Sequence, residues 1–505
     1  MHAESNRPRR RQPRAEPSRR EDPGLHLGPT LPHEPLAPGL PRRLIDAALT
    51  LLEQTGVAFD IDSEAPALFA AAGCEVGADG VVKIGRRVVE SALASCARQA
   101  RLWDRNGTHS ILLDCQHTWF FPGMTCIKVY DLKTGERRES TAADLATITR
   151  VADALPNIDG VCIACKDIPH SDIHGEIAEF ATMARNTVKP LEYLCENAAS
   201  FAVAIEMAAA IRGGREALAA KPYFLQIITP LPVNYAKTHV EQVILAARSG
   251  VPASVGTLPI GGASSPITVA GCIAQSLATD FAGMTLAQLA RPGAFVIGSS
   301  DVCFMEPATG SIGNFLQASL ADMVMCQVRR ELGLPSFTGV GGQSVSRRFN
   351  EDAVWEISSN MMQTFYSRPA TCDYLGSLDE GITFSLHSLL LCDDLAGLLR
   401  NLWQGIRIDD DSLAVSLAQA VGPRGNYLAL DHTASHCREQ IWHTRYFGPH
   451  IPTSMSTLPD QDLHERIDVD LRRILATHTV ADLSAAVLAE LDAIRARFAA
   501  TYIAP

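Results

Sequence analysis

Eight short apolar runs, each followed by a longer stretch of helical spacing, constrain this chain more than any other feature. The runs fall at 119–121, 158–165, 190–195, 223–229, 252–256, 294–299, 335–339 and 369–375. The helical stretches fall at 142–155, 172–186, 198–212, 236–249, 266–290, 313–332, 350–366 and 384–404. Continuously apolar strands joined by crossover helices imply a parallel sheet buried on both faces. Eight such units between residues 116 and 404 match the size of a (β/α)8 barrel. A doubly wound open sheet is the alternative. It would carry a phosphate-binding glycine fingerprint after its first strand, and the sequence has none there.

The flanks differ in texture. Residues 1–41 are rich in Pro and Arg and poor in large apolar residues, so they read as a disordered basic tail. Residues 42–115 read as a helical preface with helices near 44–52, 64–72 and 86–94. Residues 405–505 read as a helical extension. In it, Asp409 caps one helix running to Val421, and further helices fall near 432–442 and 463–498.

The chain has 505 residues, 47% of them hydrophobic, which is enough to bury a large core. Its formal charge of −12 argues against general nucleic-acid binding. The 13 cysteines follow no framework spacing, and no secretory signal or apolar run of spanning length is found, so we expect reduced thiols, a cytoplasmic location and no membrane contact.

Barrels carry their chemistry on the loops after the strands. One such loop holds Gly261, Gly262 and Ser264, followed by Ser265 and Pro266 at the expected start of a helix. Another, at 339–344, holds Gly341, Gly342, Gln343 and Ser344. It is either a tight turn or a floor for a large flat ligand. Glu306, Asp373 and Glu380 are the carboxylates placed to balance a cation. Phe120, Tyr193, Phe304, Phe337 and Tyr374 stand at strand ends, where aromatic faces can hold a quaternary ammonium. No metal is expected. Cys162 and Cys165 lie three apart in a strand and face opposite ways, and His432 and His436 lack a placed third ligand.

Five elements resemble the trimethylamine methyltransferase family, in family order over roughly residues 44–500. Leu51–Val57 is similar to its opening, and Asp131-Leu132-Lys133-Thr134-Gly135-Glu136-Arg137-Arg138 to its D-x-x-T-G-x-x-R hairpin. Ser264–Gly271 with Ala282-Gly283 resembles its P-x-T-x-A-G element, and Ser377–Ser385 its late loop. Val421–Leu428 with Thr433 and His436 resembles its C-terminal signature. The resemblance implies a (β/α)8 barrel that moves a methyl group from a methylated amine to the Co(I) corrinoid of a separate carrier protein. The corrinoid (cob(I)alamin, leaving as methylcobalamin) would be brought by that partner, with no tightly bound cofactor in this chain, and a homo-oligomer is expected. Asp172-Ile173-His174-Gly175 is similar to a corrinoid-ligand motif but has Ile177 where a glycine is required, so no carrier domain is read here. The founding trimethylamine enzymes carry pyrrolysine. This chain has only standard residues, which directs the expectation to quaternary amines such as glycine betaine. On this reading Gly261, Gly262, Ser264, Gly341, Gly342 and Ser344 would face the corrinoid, and Gln343 would orient the substrate. A zinc-dependent methyltransferase acting on an alcohol, thiol or ether, and a non-catalytic methylamine-binding barrel, are the alternatives.

Overall fold

Short runs such as Phe224–Ile228 have every residue buried, and they form the parallel strands at the centre of the molecule. The computed structural model describes residues 33–313, 316–338, 341–447 and 461–502. The core strands are β1 (Trp119–Pro122), β2 (Val161–Cys162), β3 (Leu191–Leu194), β4 (Phe224–Ile228), β5 (Ala253–Val255), β6 (Val296–Gly298), β7 (Phe337–Thr338) and β8 (Thr371–Leu375). Each matches one of the eight expected runs. Their crossover helices are α1 (Ala142–Ala154), α2 (Ile173–Asn186), α3 (Ala198–Arg212), α4 (Lys237–Ser249), α5 (Val269–Ala290), α6 (Leu316–Glu331), α7 (Glu351–Ser367) and α8 (Leu386–Trp403).

The result is a mixed α/β fold with two parallel ladders. One runs β6-β5-β4-β3-β2 and the other β7-β8-β1. No continuous ladder joins the two. At one seam a single bridge pairs Gly298 with Ser336. At the other, Asp159 N–H donates to the Phe120 carbonyl at 2.9 Å, and Cys126 bridges Cys165 beyond the strand ends.

Several boundaries differ from the sequence reading. Residues 1–32 of the expected tail, and Gly339 and Val340 of the expected loop, lie outside the described residues. Residues 33–41 belong to the fold rather than to a tail. Gln327 on α6 exchanges two hydrogen bonds of 2.9 Å with the Leu36 backbone, and a helix begins at Leu40. The preface also contains an unforeseen hairpin, Ala100–Trp103 with Ser110–Leu113. The helix expected to open at Ser265 begins at Val269. The Ile260 carbonyl accepts from the N–H groups of Ala263, Ser264 and Ser265, which locks those residues into a turn. The helix expected to run from Asp409 to Val421 breaks at Ala414, which adopts φ +50°. At the far end, Leu463–Thr477 packs on α8, with the His387 and His464 rings stacked at 4.0 Å.

All 13 cysteines are unpaired, and among the described residues no helix is long and apolar enough to cross a membrane.

α5 is apolar nearly all round, and 16 of its residues are buried, because it packs on the preface, on its neighbouring helices and on the strands. Its one buried carboxylate, Asp280, is held by Arg329 Nη2 at 2.6 Å and Ser300 Oγ at 2.5 Å. Removing the carboxylate strands a buried guanidinium, which costs about 3–5 kcal/mol. Asp280→Ala is therefore expected to lose that much stability in chemical denaturation, and adding Arg329→Met should recover much of it. Unchanged stability of the single variant would contradict the role given to this pair.

Candidate functional site

Register decides which side chains enter the space between the strands. Residues paired across neighbouring parallel strands share a face. Cys162, Glu192 and Leu225 are paired in one row, and Ile227, Ser254 and Ile297 in another. On the second ladder, Trp119, Thr371 and Phe337 form a row. Asp373 lies two residues after Thr371 on the same face. The Glu192 and Asp373 carboxyls come from different ladders and lie close enough to perturb each other's titration, so this face is the interior.

The interior is polar where a packed core would be apolar. Glu192 Oε2, Ser254 Oγ, Thr371 Oγ1 and both Asp373 oxygens are buried and have no hydrogen-bond partner among the described residues. Buried polar atoms without partners are rare, and each calls for a ligand, a water or a catalytic role. Burial pushes both carboxyls above the usual range, and the Glu192 charge raises Asp373 further. The pair therefore holds a proton between them.

Above the pair stands Tyr374, which is half-buried. A register shift between Cys372 and Leu375 carries it out of strand alternation, at φ +61°. Burial raises its phenol well above the ordinary value, and the Asp301 and Asp373 carboxylates raise it further. Asp379 and Glu380 also adopt left-handed backbone, at φ +54° and +56°. Three such non-glycine residues in seven positions mark a loop whose conformation is held by its surroundings. The holding groups are Arg137 and Arg347, both paired with Asp379. Arg137 comes from the Lys128–Tyr130/Arg137–Glu139 hairpin and also donates to Thr383 Oγ1 at 2.7 Å. The motif resembling the family hairpin thus clamps the loop after β8.

The other expected site residues are divided by this geometry. Phe337 faces the interior. Phe120 and Tyr193 do not. Phe120 pairs with Cys372 on the opposite face and packs near Trp403 of α8, and Tyr193 donates its hydroxyl to the Glu176 carbonyl at 2.8 Å against Phe180. Both fill the strand-to-helix layer, because each sits one position out of phase with the interior row. Glu306 is exposed, in a turn at the tip of the Cys303–Met305/Ile312–Gly313 hairpin. Phe304 belongs to that hairpin and lies over Gly261, where a Cβ would meet its ring at 2.4 Å. Gly262 and Ser264 are exposed in the adjoining turn, and Ser264 Oγ accepts from the Ile260 N–H at 2.9 Å. Gly341 and Gly342 are not an open floor. A Cβ at either would collide with Cys372 or Leu375 of β8, so close packing explains both. Gln343 is buried, and its carbonyl accepts from Asn360. Ser344 Oγ bonds Glu356 at 2.5 Å, and Glu380 N–H donates to the Ser344 carbonyl. The structure thus places Phe337 and Asp373 on the face that carries Glu192, with Tyr374 following Asp373 at the bulge. Sequence reading passed over Glu192 because it sits inside an apolar run. A lone carboxylate in a strand buried on both faces was the available signal.

A parallel-stranded α/β fold with a polar interior and a strained loop at the strand ends defines an enzyme-like site. The comparisons make this specific: residues 3–501 match the family model described as trimethylamine methyltransferase (MTTB), and the chain belongs to that family. It is similar to trimethylamine methyltransferase MttB of Desulfitobacterium hafniense (strain DSM 10664 / DCB-2), at 29% identity over 78% of this chain and 80% of the relative. It is similar to MttB of Methanosarcina barkeri (strain Fusaro / DSM 804) at 27% identity over 89% and 92%, and to the glycine betaine methyltransferase of D. hafniense (strain Y51) at 25% over 79% and 84%. The solved M. barkeri monomethylamine methyltransferase aligns over 93% of each chain, with a TM-score of 0.46 and 12% identity.

In the unfolded chain both carboxyls ionise near pH 4. In the fold they keep a proton to higher pH, so the folded protein binds more protons and loses stability as pH rises through the raised value. Asp373→Asn removes the Asp373 share of this loss and leaves that of the buried Glu192. Relative to the native protein, the variant's melting temperature is expected to improve steadily from about pH 5 to about pH 9. Parallel curves would show that the pair does not share a proton.

Proposed function

We propose that this protein transfers a methyl group from a quaternary ammonium compound to the Co(I) corrinoid of a separate carrier protein, at the open end of a (β/α)8 barrel whose ladder is interrupted at two seams. The observation that carries this reading is the Glu192–Asp373 pair, buried without a cationic partner at the centre of the strands. A quaternary ammonium donates no hydrogen bond. It is held by carboxylate charge and by aromatic faces, here those of Phe337 and Tyr374. As a cation enters, the shared proton leaves and the pair gains a second negative charge. None of the inward residues named above is basic, so the interior favours cations over anions.

The rim fits a broad apolar partner. Leu231, Leu258, Ile267 and Ile312, which follow β4, β5 and β6, are exposed by 63%, 55%, 53% and 49%. Exposed apolar side chains on these loops would suit a docking face. The exposed Gly262 belongs to the turn that joins these loops, where bare backbone admits close approach. A bound Co(I) corrinoid supplies the electron pair that accepts the methyl group. The protein's part is to aim one N-methyl toward the rim, exclude water and hold the cation until neutral amine departs with the C–N bonding pair. The Arg137–Asp379–Arg347 clamp fixes the loop that carries Tyr374.

The test is anaerobic loss of Co(I) absorbance when the protein is mixed with a reduced corrinoid carrier and a panel of methylated amines. Methylation is expected with one or more quaternary amines and not with trimethylamine, and Asp373→Asn should lower the rate by about two orders of magnitude or more. Turnover of trimethylamine, or unchanged turnover in the variant, would overturn the substrate class or the role of the pair. Saturable binding of a methylated amine without methylation would point to a non-catalytic binding protein.

A further inference from the structure

Residues 404–437 form an arm that follows α8, and none of them is buried. Its helices are short: Asp410–Leu413, Val415–Val421 and Asp431–Gln440. Isolated helices of this length are unstable in water, and an arm without a core cannot supply the missing stability by burial. Small units in this position are commonly held by a metal or a disulfide. The arm's one cysteine, Cys437, is unpaired.

Three metal-ligating side chains converge within it. His432 and His436 are four apart on one helix and therefore share a face. Their rings lie 4.4 Å apart between centroids. Both present Nε2 to Asp411 of the first short helix. His436 Nε2 lies 3.4 Å from Asp411 Oδ2, and His432 Nε2 lies 3.3 Å from the Asp411 carbonyl oxygen. One ligand atom from each of the three lies within 4.8 Å of the others. Bond lengths of about 2.0–2.2 Å place tetrahedral zinc ligands roughly 3.3–3.5 Å apart, so small side-chain rotations close the site.

We propose that Asp411, His432 and His436 bind a late first-row divalent cation, Zn2+ foremost, which clips the first and last helices of the arm together. Two imidazoles and a carboxylate are a nitrogen-and-oxygen donor set suited to zinc, with water in the fourth position. The site is structural. It lies in the extension after α8, not on a strand-end loop, and so is independent of the methyl-transfer reading. Cys437 is not a ligand, because its thiol turns back to the Ala434 carbonyl at 3.7 Å. One group competes with the metal: Arg407 Nη2 already holds Asp411 Oδ2 at 2.7 Å, and Arg407 Nε holds Asp409 at 2.8 Å. The metal must displace or share that carboxylate oxygen.

The test uses the full chain, stripped with a chelator and then titrated with Co(II) and Zn(II). One Co(II) per chain is expected, with visible ligand-field bands and no thiolate charge-transfer band, and Zn(II) should displace it. His436→Ala and Asp411→Asn should each weaken binding by about tenfold or more. Cys437→Ser should leave it unchanged, and Arg407→Ala should tighten it. Zn(II) should also slow proteolysis within residues 405–440, while the barrel's far-ultraviolet dichroism stays the same in every variant. Absence of saturable binding, retention of full affinity in His436→Ala, or a thiolate band lost in Cys437→Ser would each overturn the proposal.

Discussion

Two carboxyl groups from different ladders meet at the centre of the strands, and the layout of the site depends on that contact. Glu192 from β3 and Asp373 from β8 are fully buried, and among the described residues no cation neutralises them. Ionising both in a low-dielectric interior is strongly unfavourable, so the resting site keeps a shared proton. A packed barrel core would place branched apolar side chains there. Here the interior face carries Ser254, Thr371 and the acid pair among its apolar side chains. Such a layer is unfavourable for stability, and on the proposed function it would become useful when a cation binds. This is the compromise expected where function and packing conflict.

Around this centre, the surrounding elements act mainly as positioning devices. The bulge in β8 lifts Tyr374 out of alternation, so Asp373 and Tyr374 serve neighbouring levels of the same site. Arg137 and Arg347 fix Asp379 from two other segments, which stabilises the left-handed turn that follows. The loops after β2 and β3 are tied down by α2. Glu179 holds Lys166 Nζ at 2.8 Å and the Asp167 N–H, while Glu176 accepts from the Glu196 N–H and from Ser200 Oγ at 2.5 Å. The carboxylates of α2 are thus consumed by scaffolding. Those at the centre remain available.

The periodic part of the fold was legible in the sequence. All eight strands and their helices lie where apolar runs and helical spacing place them, because strands buried on both faces cannot hide their composition. What was not legible depended on non-local hydrogen bonds. The helix start moved from Ser265 to Val269 because one carbonyl, that of Ile260, gathers three N–H groups. The helix after Asp409 breaks at Ala414, where the backbone turns left-handed without a glycine to announce it. In the site, Asp373, Tyr374 and Phe337 were legible as strand-end residues. Phe120 and Tyr193 lie on the other face, because a one-residue difference in phase sends a side chain there. Glu192 and the third member of the His432–His436 cluster, Asp411, required the fold. Their partners lie 181 and more than 20 positions away in the chain, respectively.

The account is tested most directly by proton linkage. Titrating a quaternary ammonium substrate into the protein by calorimetry, in buffers of different ionisation enthalpy, measures the protons exchanged on binding. The acid pair predicts net proton release near neutral pH, abolished in Glu192→Gln together with much of the affinity. Binding with no proton exchange, or with unchanged affinity and linkage in Glu192→Gln, would contradict the claim that Glu192 and Asp373 form the cation's counter-charge.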